Sequence, residues 1–186
     1  MIELLKTIDT KLFLFFNGNH TPFMDSVMEG VTNKFTWIPL YLLLLFFVWR
    51  KSKNKMWIVM LSVAILITLS DQISVHLFKE IFQRYRPCHN LFLKDKVNLI
   101  HGECGGLYGF VSSHAANTFA LTTFLSFFFR RKDFALCMYL WASFVSYSRV
   151  YAGVHYPFDI VGGMALGIML GLIGYKIYLH YDKKYV

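Results

Sequence analysis

Charge is what this chain has least of: 16% of its 186 residues are charged, whereas 56% are hydrophobic. A water-soluble fold of this size and composition would have to expose large apolar patches, so aqueous burial is excluded as its organising principle. Acid is the scarcer sign, with 11 Asp and Glu against 19 Lys and Arg, a net charge of +8. The basic excess comes with neither an aromatic-lined single-strand groove nor a readable recognition helix, which excludes nucleic acid as the partner. The chain opens without a basic segment leading into an apolar run and a small-residue cleavage site, so its start does not read as a cleavable signal peptide. Cysteine occurs three times. Cys88 and Cys104 share one loop, where an oxidising compartment would allow a disulfide that spacing alone does not establish. Cys137 lies in an apolar run and reads as a small packing residue.

Phenylalanine, by contrast, is abundant, with 19 residues. Five stretches of 15 or 16 residues lack any formal charge: 35–49, 56–70, 115–129, 134–148 and 160–175. Each is short of the roughly 20 residues that cross a bilayer, but each has flanks that extend it. Thr21-Pro22 is a helix start, so a first helix is expected over 22–50. The second continues past Asp71 towards Phe82, the third begins near Ser112 and the fifth at Pro157. Unpaired backbone is too costly in lipid for an open sheet. The expected fold is therefore an all-α integral membrane helical bundle of about five transmembrane helices, a single domain over 1–186. Residues 1–17 form a further short helix, with Leu4, Leu5, Ile8, Leu12 and Phe15 at helical spacing and Lys6, Asp9 and Lys11 elsewhere, expected to lie in the membrane interface.

The basic residues are distributed unevenly. Arg50, Lys51, Lys53 and Lys55 follow the first stretch, Arg130, Arg131 and Lys132 the third, and Lys183-Lys184 the last. With five spans all three groups fall on one side, which the positive-inside rule assigns to the cytoplasm. The loop over 83–111 and the turn over 150–156 are then external, and His101 and Glu103 are uninformative polar residues of that loop.

The external ends of four helices carry Lys79, Arg84, Arg86, Ser112, Ser113, His114, Arg149, His155 and Asp159. Lys79 offers a compact cation and Arg86 a planar fork, both suited to an anion. Ser112-Ser113-His114 opens a helix, whose first amides can hold phosphate oxygens. His155 and Asp159 are four residues apart, a spacing that lets the carboxylate hold one imidazole nitrogen while the other attacks. Taken singly, each also has a bland reading: cations marking an interface, a serine cap, a hydrogen-bonded His-Asp helix start. Asp71 reads as a structural partner in the bundle, and His76 as a satisfied interhelical group. Gly163, Gly167 and Gly171 read as an internal packing stripe.

Together these residues resemble the type 2 phosphatidic acid phosphatase superfamily, which also includes vanadium haloperoxidases. The family pattern is Lys, six residues, Arg-Pro; then Pro-Ser-Gly-His; then Ser-Arg, five residues, His, three residues, Asp. This chain has Lys79 and Arg86-Pro87, then Val111-Ser112-Ser113-His114, then Ser148-Arg149, His155 and Asp159, a motif-bearing core over 79–159. The middle part departs, with Val111 in place of Pro and Ser113 in place of Gly. The resemblance implies His155 as nucleophile, Asp159 as its orienter, and His114 as the group that protonates the leaving oxygen and then activates water. It implies Lys79, Arg86, Ser112, Ser113 and Arg149 as phosphate ligands, and a scheme that needs no metal or other cofactor. The implied function is hydrolysis of a lipid phosphate or diphosphate through a phosphohistidine, at the external face of a bacterial inner or plasma membrane. An undecaprenyl diphosphate stands first as substrate, with phosphatidylglycerol phosphate and lipid A phosphate as alternatives. A vanadium-dependent haloperoxidase and a non-enzymatic lipid binder or transporter remain the rival classes, and oligomeric state is open.

Overall fold

The computed structural model describes residues 2–184 except 101 and 103, so His101 and Glu103 lie outside the described residues, as do the side chains of Lys183 and Lys184. Seven helices organise it: α1 (Ile2–Asn17), α2 (Pro22–Thr32), α3 (Ile38–Lys51), α4 (Met56–Gln72 with its continuation to Phe82), α5 (Ser113–Phe129), α6 (Lys132–Tyr151) and α7 (Pro157–Lys184).

The architecture is helical as expected, but five spans are not what it contains. Among the described residues, two helices are long and apolar enough to cross a membrane, the 30-residue Lys53–Phe82 and the 26-residue Pro157–Asp182. A third span exists only if α2 and the helical segment after it count as one despite a 67° bend. The expected straight helix over 22–50 breaks at Asn33, whose extended backbone leaves α2 and whose side chain accepts from the Phe35 amide at 3.0 Å. Trp37 Nε1 donates back to Val31 O at 2.9 Å and holds the corner. α5 stops at 17 residues, short of the roughly 20 a bilayer demands. It ends where Arg130 turns left-handed, at φ 57°. α6 has 20 residues but spends many on Lys132, Asp133, Ser143, Ser146, Ser148 and Arg149. Uncharged length alone is therefore not evidence of a span.

α5 forms the centre of the bundle, with Ala115, Ala116, Phe119, Ala120, Phe124 and Leu125 buried. Its closest neighbour is α7, and the glycine stripe explains why. A Cβ added at Gly163, Gly167 or Gly171 would lie 2.5, 2.4 or 2.7 Å from the carbonyl oxygens of Ser112, Ala116 and Ala120. The stripe is thus an internal packing face, as expected. Cys137 departs from expectation: it is exposed, on an outward face of α6 with Leu136 and Leu140.

α1 is short, as read, but the face it turns to the protein carries polar side chains, and Glu3, Lys6 and Lys11 stay outside. Asp9, Phe13 and Asn17 are fully buried, while Leu4, Leu5, Ile8, Leu12 and Phe15 are exposed. Such an inverted arrangement suits an apolar solvent outside and satisfied polar groups inside. Asn17 donates to Asn98 O at 2.9 Å and Tyr151 O at 2.7 Å, and accepts from the Asn98 amide.

The ends of α3, α5 and α7 gather the basic turns. Lys51 Nζ donates to Phe128 O at 2.6 Å, Lys55 pairs with Asp182 at 3.0 Å, and Arg130 reaches the Tyr175 hydroxyl. The starts of α5 and α7 and the end of α4 lie at the opposite end, where Cys88 and Cys104 form a disulfide with Cα atoms 5.9 Å apart.

Candidate active site

Five chain segments converge at that second end. α4 arrives through a π-helical stretch, Ile73–Lys79, the kind of local widening that re-aims a side chain within a helix. It delivers Lys79, whose Nζ donates to Ser113 Oγ at 2.7 Å; Ser74 Oγ lies 2.6 Å from the same oxygen. Arg86 leaves in extended backbone before Pro87, and its guanidinium donates to Tyr108 O at 3.3 Å and Cys104 O at 3.2 Å. Ser112 caps α5, accepting from the Ala115 amide. Arg149, near the end of α6, donates to Thr32 Oγ1 at 2.5 Å, while its Nε is buried without a partner. His155 and Asp159 stand on either side of Pro157 at the start of α7.

Lys79, Arg86, Ser113, His114, Arg149 and His155 line a single cavity of about 770 Å³. Its remaining wall is largely apolar and includes Trp37, Tyr41, Leu121 and Trp141. Asp71 lines it too, beside the substrate space and not only within the bundle. Ser112 and Asp159 stand behind the wall, both fully buried, joined by the Ser112 amide donating to Asp159 O at 3.0 Å. The spacing argument for the histidine pair is met: His155 Nδ1 lies 3.3 Å from Asp159 Oδ2, which leaves Nε2 as the uncommitted nitrogen. Gly109 is needed at this point, since a Cβ there would fall 2.9 Å from Asp159 Oδ2 and 3.5 Å from His155 Nδ1.

The electrostatics are those of an anion site. His155, 2% exposed, is held well below the usual imidazole range by burial and by Arg86, Arg149 and Lys79. His114 is open to the cavity by surface area, yet protein surrounds the cavity and limits screening by water. Burial, then Arg149, His155, Arg86 and Lys79, push its pKa down to about 3. Arg149 itself falls to about 10, through burial and the neighbouring Arg86. Cations crowded closely enough to depress one another create a site that favours a dianion. Among the described residues no group of three or more His, Cys, Asp or Glu is placed to hold a metal.

Sequence reasoning noticed Arg84 without giving it a role, and placed Asp9 merely on the polar side of α1. Arg84 NH1 donates to Asp159 Oδ1 at 2.8 Å and NH2 to Asp9 Oδ2 at 2.7 Å. The signal available was an arginine two positions before the motif's own; Asp9, one of several charged residues on α1, carried none. His76, expected to pair between helices, bonds Glu80 one turn along its own helix at 2.8 Å.

Comparison with known proteins agrees with the geometry. Residues 55–182 match the family described as the PAP2 superfamily. A protein of Bacteroides thetaiotaomicron named lipid A 4'-phosphatase is 40% identical over 95% of this chain and 80% of its own length. One of the same name from Porphyromonas gingivalis is 33% identical over 100% of this chain and 79% of its own. The fold matches the crystal structure of a PAP2-type phosphatidylglycerolphosphate phosphatase from Bacillus subtilis with a TM-score of 0.72, at 21% identity, covering 97% of this chain and 87% of that one. A helical bundle with membrane-crossing elements, a cation-lined cavity at its mouth and this family match together mean that the chain belongs to the PAP2 superfamily, in its membrane lipid phosphatase branch, and hydrolyses phosphate or diphosphate esters of lipids at a membrane interface.

Proposed function

We propose that the chain removes a phosphate monoester from a lipid A-type glycolipid, using His155 as nucleophile, at the membrane face remote from the cytoplasm. The observation that carries the chemistry is the placement of His114 and His155 with Lys79, Arg86 and Arg149 around one cavity at the mouth of an apolar bundle. The substrate class follows from the names of the two relatives, which favour lipid A over the undecaprenyl diphosphate expected from motifs alone. The face follows from two independent features. The disulfide at the site end suits an oxidising compartment, and the basic ends of α3, α5 and α7 suit the cytoplasmic side.

In this scheme Lys79, Arg86 and Arg149 take the phosphate oxygens, with the first amides of α5. His155 Nε2 attacks phosphorus, and the bond to the lipid oxygen breaks. His114 gives its proton to that oxygen. It then takes a proton from water as the water attacks the phosphohistidine, releasing phosphate and restoring His155. The depressed pKa of His114 is compatible with this role, because a bound dianion offsets the cations that depress it and raises its proton affinity. Asp159 keeps the proton of His155 on Nδ1, so Nε2 carries the lone pair.

The test is phosphate release by purified protein from lipid A, phosphatidylglycerol phosphate and undecaprenyl diphosphate under one set of detergent conditions. The highest kcat/KM is expected for lipid A, and a higher value for either competitor would overturn the substrate assignment. Rapid quench with labelled lipid should leave acid-labile label on His155; normal turnover by a folded His155→Ala protein would remove it as nucleophile.

A further inference from the structure

We infer that Asp9 of the N-terminal helix is a positioning residue for the reaction, setting the geometry of the His155–Asp159 pair through Arg84. The inference rests on the reading of His155 as nucleophile. Asp9 does not line the substrate cavity and lies 150 positions before Asp159 in the chain.

Its two carboxylate oxygens have separate duties. Oδ2 accepts from Arg84 NH2 at 2.7 Å, and Oδ1 accepts from the Phe158 amide at 2.9 Å. The first bond fixes the guanidinium, whose other terminal nitrogen, NH1, donates to Asp159 Oδ1 at 2.8 Å. The second ties down the backbone one residue before Asp159, in the unpaired first turn of α7. Asp159 Oδ2 is then left to accept from the Tyr156 amide at 3.0 Å and to face His155 Nδ1. Arg84 also stacks over the Tyr156 ring, with 4.1 Å between its central carbon and the ring centroid. A planar fork held at both terminal nitrogens has no freedom to rotate. The plane of the Asp159 carboxylate is therefore set from α1, and with it the tautomer and direction of the attacking ring. Both carboxylates are fully buried, so disorder in the guanidinium between them is passed to the His155–Asp159 pair.

Asp9→Asn is the informative change. It is isosteric, but it offers one acceptor where two are needed, so either Phe158 or Arg84 loses its bond and an amide N–H faces another donor. Outer partners that orient a reacting group typically contribute roughly tenfold to a hundredfold. A kcat loss in that range is expected with KM nearly unchanged, because no cavity residue is altered. The decisive readout is a double-mutant cycle with Asp159→Asn. If Asp9 acts through Asp159, its substitution costs almost nothing further in the Asp159→Asn background. Equal losses in both backgrounds, or a rise in KM that accounts for the whole effect, would show a general packing role and overturn the inference. Lys11→Gln, on the exposed side of the same helix, should match wild type, and thermal unfolding in detergent should verify that each variant is assembled. Should Asp9→Asn not assemble, Arg84→Lys runs the same cycle, keeping the cation but removing the fork. Undiminished turnover in Asp159→Asn and His155→Ala would instead refute the reading of the site, an outcome distinct from failure of the cycle.

Discussion

Gly167 is the point at which packing in the bundle and geometry in the site can be separated from composition. It lies on α7 against α5, and a methyl there would sit 2.4 Å from Ala116 O, 2.9 Å from Ala120 N and 2.9 Å from Phe119 Cβ. Two of the three neighbours are backbone atoms of the central helix, which no rotamer change can move. Ordinary contact begins near 3.4 Å, so Gly167→Ala requires the two helices to part by about 1 Å. Overpacking of this kind costs about 1–3 kcal/mol. The consequence for activity is larger, because α5 carries His114 at its start and α7 carries Asp159 at its start. A misplacement of about 1 Å between reacting groups can cost on the order of a hundredfold in rate. Two other glycines provide the scale. At Gly174 the nearest atom is Leu66 Cδ1 at 3.3 Å, the end of a flexible side chain, and at Gly30 nothing lies within 4 Å. The expected order of damage in thermal midpoint and in phosphate release is Gly167→Ala, then Gly174→Ala, then Gly30→Ala. The last should be neutral or stabilising by about 0.5–1 kcal/mol, the usual gain of Ala over Gly inside a helix. If Gly167→Ala were as stable and active as Gly30→Ala, the close α5–α7 crossing would be refuted, and with it the argument that the crossing sets the spacing of His114 and Asp159.

Ser113→Ala removes the oxygen that holds Lys79 at 2.7 Å; KM should rise about tenfold, the worth of one hydrogen bond to a charged group, with kcat little changed in steady-state assays. Reduction of Cys88–Cys104, 16 positions apart, should cost about 3 kcal/mol in unfolding and raise KM, because Arg86 donates to Cys104 O; unchanged KM under reductant would disconnect the loop from the site. His114, with its pKa near 3, takes up a proton on unfolding anywhere between that value and the ordinary 6.5. Its contribution to stability is therefore present above pH 6.5 and is lost as pH falls towards 3. A phosphate analogue such as vanadate should raise its pKa in an NMR titration, and no change on binding would place the anion elsewhere.

The helical class, the continuation of α4 towards Phe82 and the start of α7 at Pro157 were legible because each rests on short-range pattern. A His four residues before an Asp meets its partner whatever surrounds it. The span count was not legible, because an uncharged stretch suits lipid and a buried protein centre equally. In α5 such a stretch is uncharged because it is the buried centre, and the capacity to cross depends on uninterrupted length, which Arg130 ends and Asn33 breaks in α2 and α3. α1 presents the converse problem. Its apolar residues have the spacing of an interfacial helix and are indeed exposed, so periodicity located the outward side. What periodicity does not reveal is that Asp9, which an aqueous reading assigns to the solvent side, is buried against Arg84. In an apolar solvent, a helix with one acid on its minority face is a helix with a partner, since an unpaired carboxylate there costs more than the helix gains by binding. Arg84, in turn, has an odd position for a phosphate ligand, two residues before Arg86 and on the far side of the wall from the cavity. Those two anomalies explain each other only in three dimensions, where the extra acid and the extra base close on the Asp159 carboxylate that both histidine chemistry and helix capping require.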